Sequence, residues 1–178
     1  MTNSSPTNRP GYFKVYIDQV EEKELTAAFA HQSQVIKDFL PTISEEKSIF
    51  AYAAGKWTLK ELLQHIIDTE RILSYRALCF ARKEIVTLPG FDENEYAAAS
   101  NANSRTWESL SAEFVALRRS TLFLFDSFTP EMLASTGTAN TNTNSAEELG
   151  FTLVGHFIHH KRIIDERYLI DNWLMDNG

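Results

Sequence analysis

A chain of 178 residues with 43% hydrophobic and 12% aromatic content is long enough for one compact domain, and too rich in large apolar side chains to stay disordered. Its net charge of −7, with no segment that concentrates Lys and Arg, argues against nucleic acid as a partner, because phosphate backbones need a basic surface. No run approaches the roughly 20 apolar residues of a membrane span, and the polar beginning lacks the apolar stretch of a signal peptide, so a cytoplasmic location is expected.

Residues 1–11, rich in Ser, Thr, Asn and Pro, read as a flexible arm ahead of a single domain over residues 12–178. Residues 12–17 form a short apolar lead-in. From about Asp18, Leu25, Ala28, Phe29, Val35, Ile36, Phe39 and Leu40 recur at helical spacing until Pro41, which predicts the first helix. Residues 42–57 are irregular. Thr58, followed three residues later by Glu61, then makes a capping box that opens a second long helix, with Leu62, Ile66, Thr69, Ile72, Leu73 and Phe80 on one face, fading near Lys83. The single cysteine, Cys79, falls in this helix, has no partner for an internal disulfide and is expected to be a buried, inert thiol.

Residues 84–103 show no sustained period, and a connection of that length usually crosses a domain or carries function. A third helix follows from about Ser104 to Pro130 on Trp107, Leu110, Phe114, Leu117, Leu124, Phe125 and Phe128. Residues 131–144 read as a polar, mobile loop opened by one turn around Met132 and Leu133. A second capping box, Ser145 with Glu148, starts a fourth helix that runs to about Trp173. With no alternating β pattern, no phosphate loop and no internal repeat, the expected class is all-α, a four-helix bundle with a long crossover between helices two and three.

The chemistry lies in the histidines. His156 and His160, four residues apart on the fourth helix, share one face with Leu149, Leu153 and Ile163, so both point at the core. Two unpaired imidazoles are costly to bury there, and a metal ion satisfies both. On the second helix, His65 sits among core-facing side chains. A lone histidine in that setting is more often a hydrogen-bonded core residue than a ligand. If it joins the pair, three neutral imidazoles occupy three positions of a divalent ion and leave at least one open.

His159 falls on a flank with Thr152, Gly155, Arg162 and Glu166 and is expected to be exposed or to support a ligand. His31, beside the first helix's stripe, reads as solvated. Asp68, one turn after His65, either orients an imidazole or is a surface charge. Arg76, on the extended core stripe, either reaches an anionic substrate group or pairs with a carboxylate. Asp92 and Tyr96 in the crossover either line a pocket mouth or simply pack. A carboxylate-bridged di-iron centre is excluded by the lack of two Glu-x-x-His repeats, and Glu61 is committed to its cap.

The run Lys56-Trp57-Thr58 leading into residues 61–71, with Gln64-His65-Ile66-Ile67-Asp68-Thr69-Glu70-Arg71, resembles the second-helix signature of the DinB/YfiT-like superfamily. Leu88-Pro89-Gly90-Phe91-Asp92 resembles its crossover. Gly155-His156-Phe157-Ile158-His159-His160, with Glu166-Arg167-Tyr168-Leu169, resembles its fourth-helix signature. The resemblance implies a bundle of unusual connectivity and a metal, zinc or nickel, bound by one histidine of helix two and two of helix four, matching His65, His156 and His160.

It further implies an enzyme acting on a small-molecule substrate, frequently as a homodimer. Known activities include thiol-dependent S-transferases and a thiol-dependent isomerase that use low-molecular-weight thiols, and many other members are described as metal-dependent hydrolases. After the paired histidines this chain carries Lys161-Arg162, where the more transferase-like members often carry Gly-Gln. This is a departure from the transferase-like pattern; thiol transfer is still the leading expectation, metal-dependent hydrolysis the alternative, and a non-catalytic binding bundle the third.

Overall fold

The computed structural model describes residues 11–169. The arm expected over residues 1–11 and the end of the fourth helix, near Trp173, therefore lie largely or wholly outside the described residues. Four long helices form the bundle: α2 (Leu25–Phe39), α4 (Leu59–Ala81), α6 (Trp107–Asp126) and α8 (Ala146–Ile163). Around them are α1 (Lys14–Ile17), α3 (Glu45–Ser48), α5 (Glu93–Ala99), α7 (Pro130–Ala134) and a hairpin of β1 (Thr136–Ala139) with β2 (Asn142–Ser145). No helix among the described residues is long and apolar enough to cross a membrane.

Both expected capping boxes form. Thr58 and Ser145 each accept from the backbone N–H three residues on, while Glu61 and Glu148 reach back to the cap's own N–H. Each box satisfies two N–H groups that a helix start otherwise leaves without partners, and this fixes where α4 and α8 begin.

The apolar core is divided into two clusters. One gathers Leu25 and Phe29 of α2, Leu73 and Phe80 of α4, Phe125 of α6, and Leu149 and Leu153 of α8. The other gathers Ile36 and Phe39, Leu62 and Ile66, Leu110 and Phe114, and Phe157 and Ile164. Taken in chain order, α2 and α8 run from the first cluster to the second, whereas α4 and α6 both run from the second to the first. Neighbouring α4 and α6 are thus parallel, as the pairs Arg105 with Gln64 and Arg118 with Glu70 also require. Two parallel helices cannot be joined by a tight turn, so the chain between them must travel back along the bundle. That is the crossover the sequence anticipates.

Between the clusters lies a polar layer. Arg118, 2% exposed, donates from Nε and Nη2 to both carboxylate oxygens of Glu70 and from Nη1 to Gln32 Oε1, while Gln32 Nε2 donates to the carbonyl of Val154 on α8. One connected network therefore spans all four long helices.

Three expectations need correction. The first helix starts at Leu25 rather than near Asp18, because the lead-in closes its own short helix α1 at Ile17 and the chain must turn before α2. The crossover holds α5, whose first N–H groups are capped by Asp92 Oδ1. Residues 136–145 are not a loose loop: Thr136 pairs with Ser145 and Ala139 with Asn142 across a two-residue turn in which Asn140 takes a positive φ of 56°. This hairpin is anchored from outside. Leu88 of the crossover exchanges backbone hydrogen bonds with Thr138 and Asn140, and Gly137 lies so close to Phe80 that a Cβ there would fall 2.1 Å from the ring.

Candidate metal centre

α4 and α8 pack side by side, and their facing stripes bring three imidazoles together. His65 Nε2 lies 3.1 Å from His156 Nε2, which lies 3.0 Å from His160 Nε2, and all three ligand atoms fall within 4.8 Å of one another. Nitrogens bound to one ion at about 2.1 Å, with angles between 90° and 109°, sit about 3.0–3.4 Å apart, so the two short separations fit a shared cation. His156 and His160 are buried and His65 is half-buried.

Each side of the cluster has a structural cause. The His65 ring stacks at a tilt on Trp57, centroids 4.9 Å apart, and Tyr168 Oη donates to the Trp57 carbonyl, which ties the loop before α4 to the π-helical turn Ile164–Tyr168 that follows α8. On the other side, the Tyr16 ring meets His156 and His159 edge-on at 5.3 and 5.4 Å. α1 can come that close only because residue 155 is glycine, where a Cβ would lie 2.0 Å from the Tyr16 carbonyl oxygen. Tyr12 and Tyr16 share a hydrogen bond of 3.1 Å between their hydroxyls.

Burial keeps the imidazoles neutral. It lowers His65 from the ordinary value near 6.5 to about 4, and it holds His156 and His160 well below 6.5, with the neighbouring histidines adding to the effect. Neutral imidazoles are the form a metal binds, so the site is poised without prior loss of protons. Between pH 6.5 and about 4 the unfolded chain binds more protons than the folded one, so the stability these groups supply is complete above 6.5 and is lost as the pH falls.

Thermal melts of metal-free protein should therefore show Tm falling from pH 6.5 towards 5. That interval lies above the range in which Glu22, Glu45 and Glu113, whose partners hold them below the usual carboxylate range, begin to protonate. A flat Tm across it would mean that the histidines are not buried as neutral groups.

The cluster opens on a cavity of about 160 Å³, lined also by Tyr12, Tyr16, Trp57, Thr69, Arg76 and Glu93. The sequence pattern brings His65, His156 and His160 here and leaves Arg76 open between a substrate anion and a carboxylate partner; it misses Glu93, which lies on the short α5, and Tyr16, which α1 delivers. Neither element is long enough to show a period.

The remaining candidates fall elsewhere. His31 is exposed and bonds Glu22 at 2.6 Å, as expected of a solvated residue. His159 is half-buried rather than solvated, because its flank carries the buried Thr152 and Gly155 under α1, and its Nδ1 has no hydrogen-bond partner among the described residues. Asp68 accepts from Gln64 Nε2 and lies 3.9 Å from Arg71, and it does not line the cavity of the imidazoles. Tyr96 packs on Phe91 and, with Asp68, lines a separate cavity. Cys79 is half-buried against the first apolar cluster and does not line the histidine cavity.

A sequence profile of the DinB superfamily matches residues 23–164, a span that contains all four long helices and all three histidines. The chain belongs to the DinB superfamily. Among solved structures, this DinB chain is similar to YfiT from Bacillus subtilis, described as a "probable metal-dependent hydrolase with an unusual four-helix bundle topology". The two share 16% sequence identity with a TM-score of 0.66 over 93% of this chain and 90% of that one, a likeness of fold. Comparison with curated proteins yields no match.

Proposed function

We propose that this DinB protein is a metalloenzyme in which His65, His156 and His160 hold one divalent ion, zinc or nickel, and that it transfers a low-molecular-weight thiol to an electrophilic substrate. The observation that carries this reading is the convergence of three neutral Nε2 atoms at the wall of a cavity, with His65 the least buried of the three. An ion held there supplies Lewis acidity that lowers the pKa of a bound thiol or water. Trp57 and Tyr16 flank the imidazoles and limit the access of bulk water. Among the described lining residues there is no cysteine or serine, which favours a nucleophile brought in as a small molecule.

Hydrolysis is a second reading, favoured by the description given to YfiT and by Glu93, whose Oε2 is buried without a hydrogen-bond partner among the described residues and which lines the same cavity. A carboxylate in that position suits a general base for water.

The two readings separate when untagged, metal-loaded protein is incubated with a panel of thiols plus a generic electrophile, and in parallel with esters and amides. Thiol consumption that needs the metal is expected. Metal-dependent ester or amide cleavage without thiol overturns transfer in favour of hydrolysis, and no turnover in either arm leaves a binding bundle.

A further inference from the structure

We propose that the cavity in front of the histidines takes a small carboxylate, and that Arg76 is the residue that grips its carboxylate group. The inference rests on the metal-centre reading only for what lies at the other end of the ligand.

Three other arginines of the bundle are paired with carboxylates. Buried Arg118 is answered by Glu70, and the half-buried Arg105 and more exposed Arg71 share Glu113 at 2.5 and 2.6 Å. Arg76 is 6% exposed, yet it has no ion-pair partner among the described residues: its Nη2 donates to the carbonyl of Pro89 at 2.6 Å, and the Phe91 ring lies 6.0 Å from its guanidinium carbon. A guanidinium carries five N–H donors and stays charged in proteins, so burial without an anion is costly. Burial alone already lowers its pKa. The Pro89 carbonyl holds one arm of the fork, and Arg76 lines the cavity.

His65, Thr69, Leu73 and Arg76 follow one another on a single face of α4, at spacings of four, four and three residues, and all four line the cavity. The pocket thus runs along the helix with imidazoles at one end and a guanidinium at the other. Thr69, 7% exposed, has a hydroxyl with no hydrogen-bond partner among the described residues, so a second polar atom on this stripe awaits a ligand.

Glu93 narrows the class of anion. Its own carboxylate on the same cavity repels a dianion such as phosphate, and favours a singly charged acid that carries a donor group. A volume near 160 Å³ suits a short chain or one ring.

The test uses ω-mercaptocarboxylates of increasing chain length, each paired with the mercapto-alcohol of the same length, binding to cobalt-loaded protein. Thiolate absorption bands report occupancy of the metal independently of Arg76. In the wild type one chain length of acid should bind on the order of tenfold or more tighter than its alcohol, as expected of a charge-assisted, bidentate contact. Arg76→Met should erase that preference while alcohol binding, which monitors an intact pocket, is unchanged, and Arg76→Lys should restore only part of it. Equal affinity for acid and alcohol in the wild type, or a preference that survives Arg76→Met, overturns the proposal.

Butyrate binding to metal-free protein, followed by NMR, keeps the two readings distinguishable if no cobalt is taken up. Butyrate binding that Arg76→Met abolishes upholds Arg76 while the metal reading fails. No butyrate binding, or the same binding in the variant, overturns Arg76 as well. Displacement of butyrate by lower concentrations of inorganic phosphate overturns the carboxylate assignment.

Discussion

Replacing His156 with Ala should strip the protein of its metal, whereas replacing His31 should not. His156 is the hub of the cluster: the separations of 3.1 Å to His65 and 3.0 Å to His160 both run through its Nε2. Removing it leaves one imidazole on each of two helices. If a full structural zinc site is worth about 10–16 kcal/mol over four ligands, one ligand carries roughly 3 kcal/mol, so affinity should fall by at least about 10²-fold. His31 controls for loss of any imidazole, being exposed and held only by Glu22.

The measurement is metal content after dialysis against a competing chelator, on untagged protein, with circular dichroism confirming the helices. Added zinc should raise the Tm of the wild type and leave that of His156→Ala unchanged, since a ligand stabilises only the state that binds it. Equal metal content in His156→Ala and the wild type would remove the centre from consideration.

What could be read from sequence, and what could not, divides by the range of the interaction involved. The two capping boxes and the His156/His160 pair are local, fixed by three- and four-residue spacings within one helix, and all three stand where pattern places them. Arg76 could be put on the core stripe of α4, but not assigned a partner, because the carbonyl it meets lies 13 residues on, in a segment without a period. Tyr16 reaches the site through a close approach to Gly155, and nothing in either local segment announces it. The hairpin was invisible for a related reason. Its Thr and Asn residues have no apolar alternation, and Leu88 and Phe80, far away in sequence, hold it in place.

The polar layer is the largest feature that single-helix reasoning passes over. Gln32, Glu70 and Arg118 interrupt apolar stripes, and a charge in a helix is ordinarily taken for surface. Only the bundle, which brings together residues 48 and 86 positions apart, shows that the three satisfy one another.

That layer supplies the second large expected effect. Glu70→Ala should cost about 3–5 kcal/mol, because it leaves the guanidinium of Arg118 buried and unanswered. The pair is bidentate, with Nε to Oε1 at 2.9 Å and Nη2 to Oε2 at 2.7 Å, and the guanidinium carbon lies 5.4 and 5.5 Å from the rings of Phe29 and Phe114. Those rings give displaced charge no route to water. At roughly 2–4 °C per kcal/mol for a chain of this size, Tm should drop by roughly 6–20 °C.

The double variant Glu70→Leu with Arg118→Met separates the value of the pair from the penalty of orphaning one partner. If the penalty dominates, the double variant should be markedly more stable than Glu70→Ala, since two apolar side chains between two apolar clusters leave little unsatisfied beyond Gln32. A double variant as unstable as the single one would mean that the network itself holds the four helices in register. In that event metal affinity should fall with it, because Gln32 also anchors the Val154 carbonyl, two residues before His156. Metal affinity unchanged in a stable double variant would show that the layer sets stability alone, and that the packing of α4 on α8 positions the histidines without it.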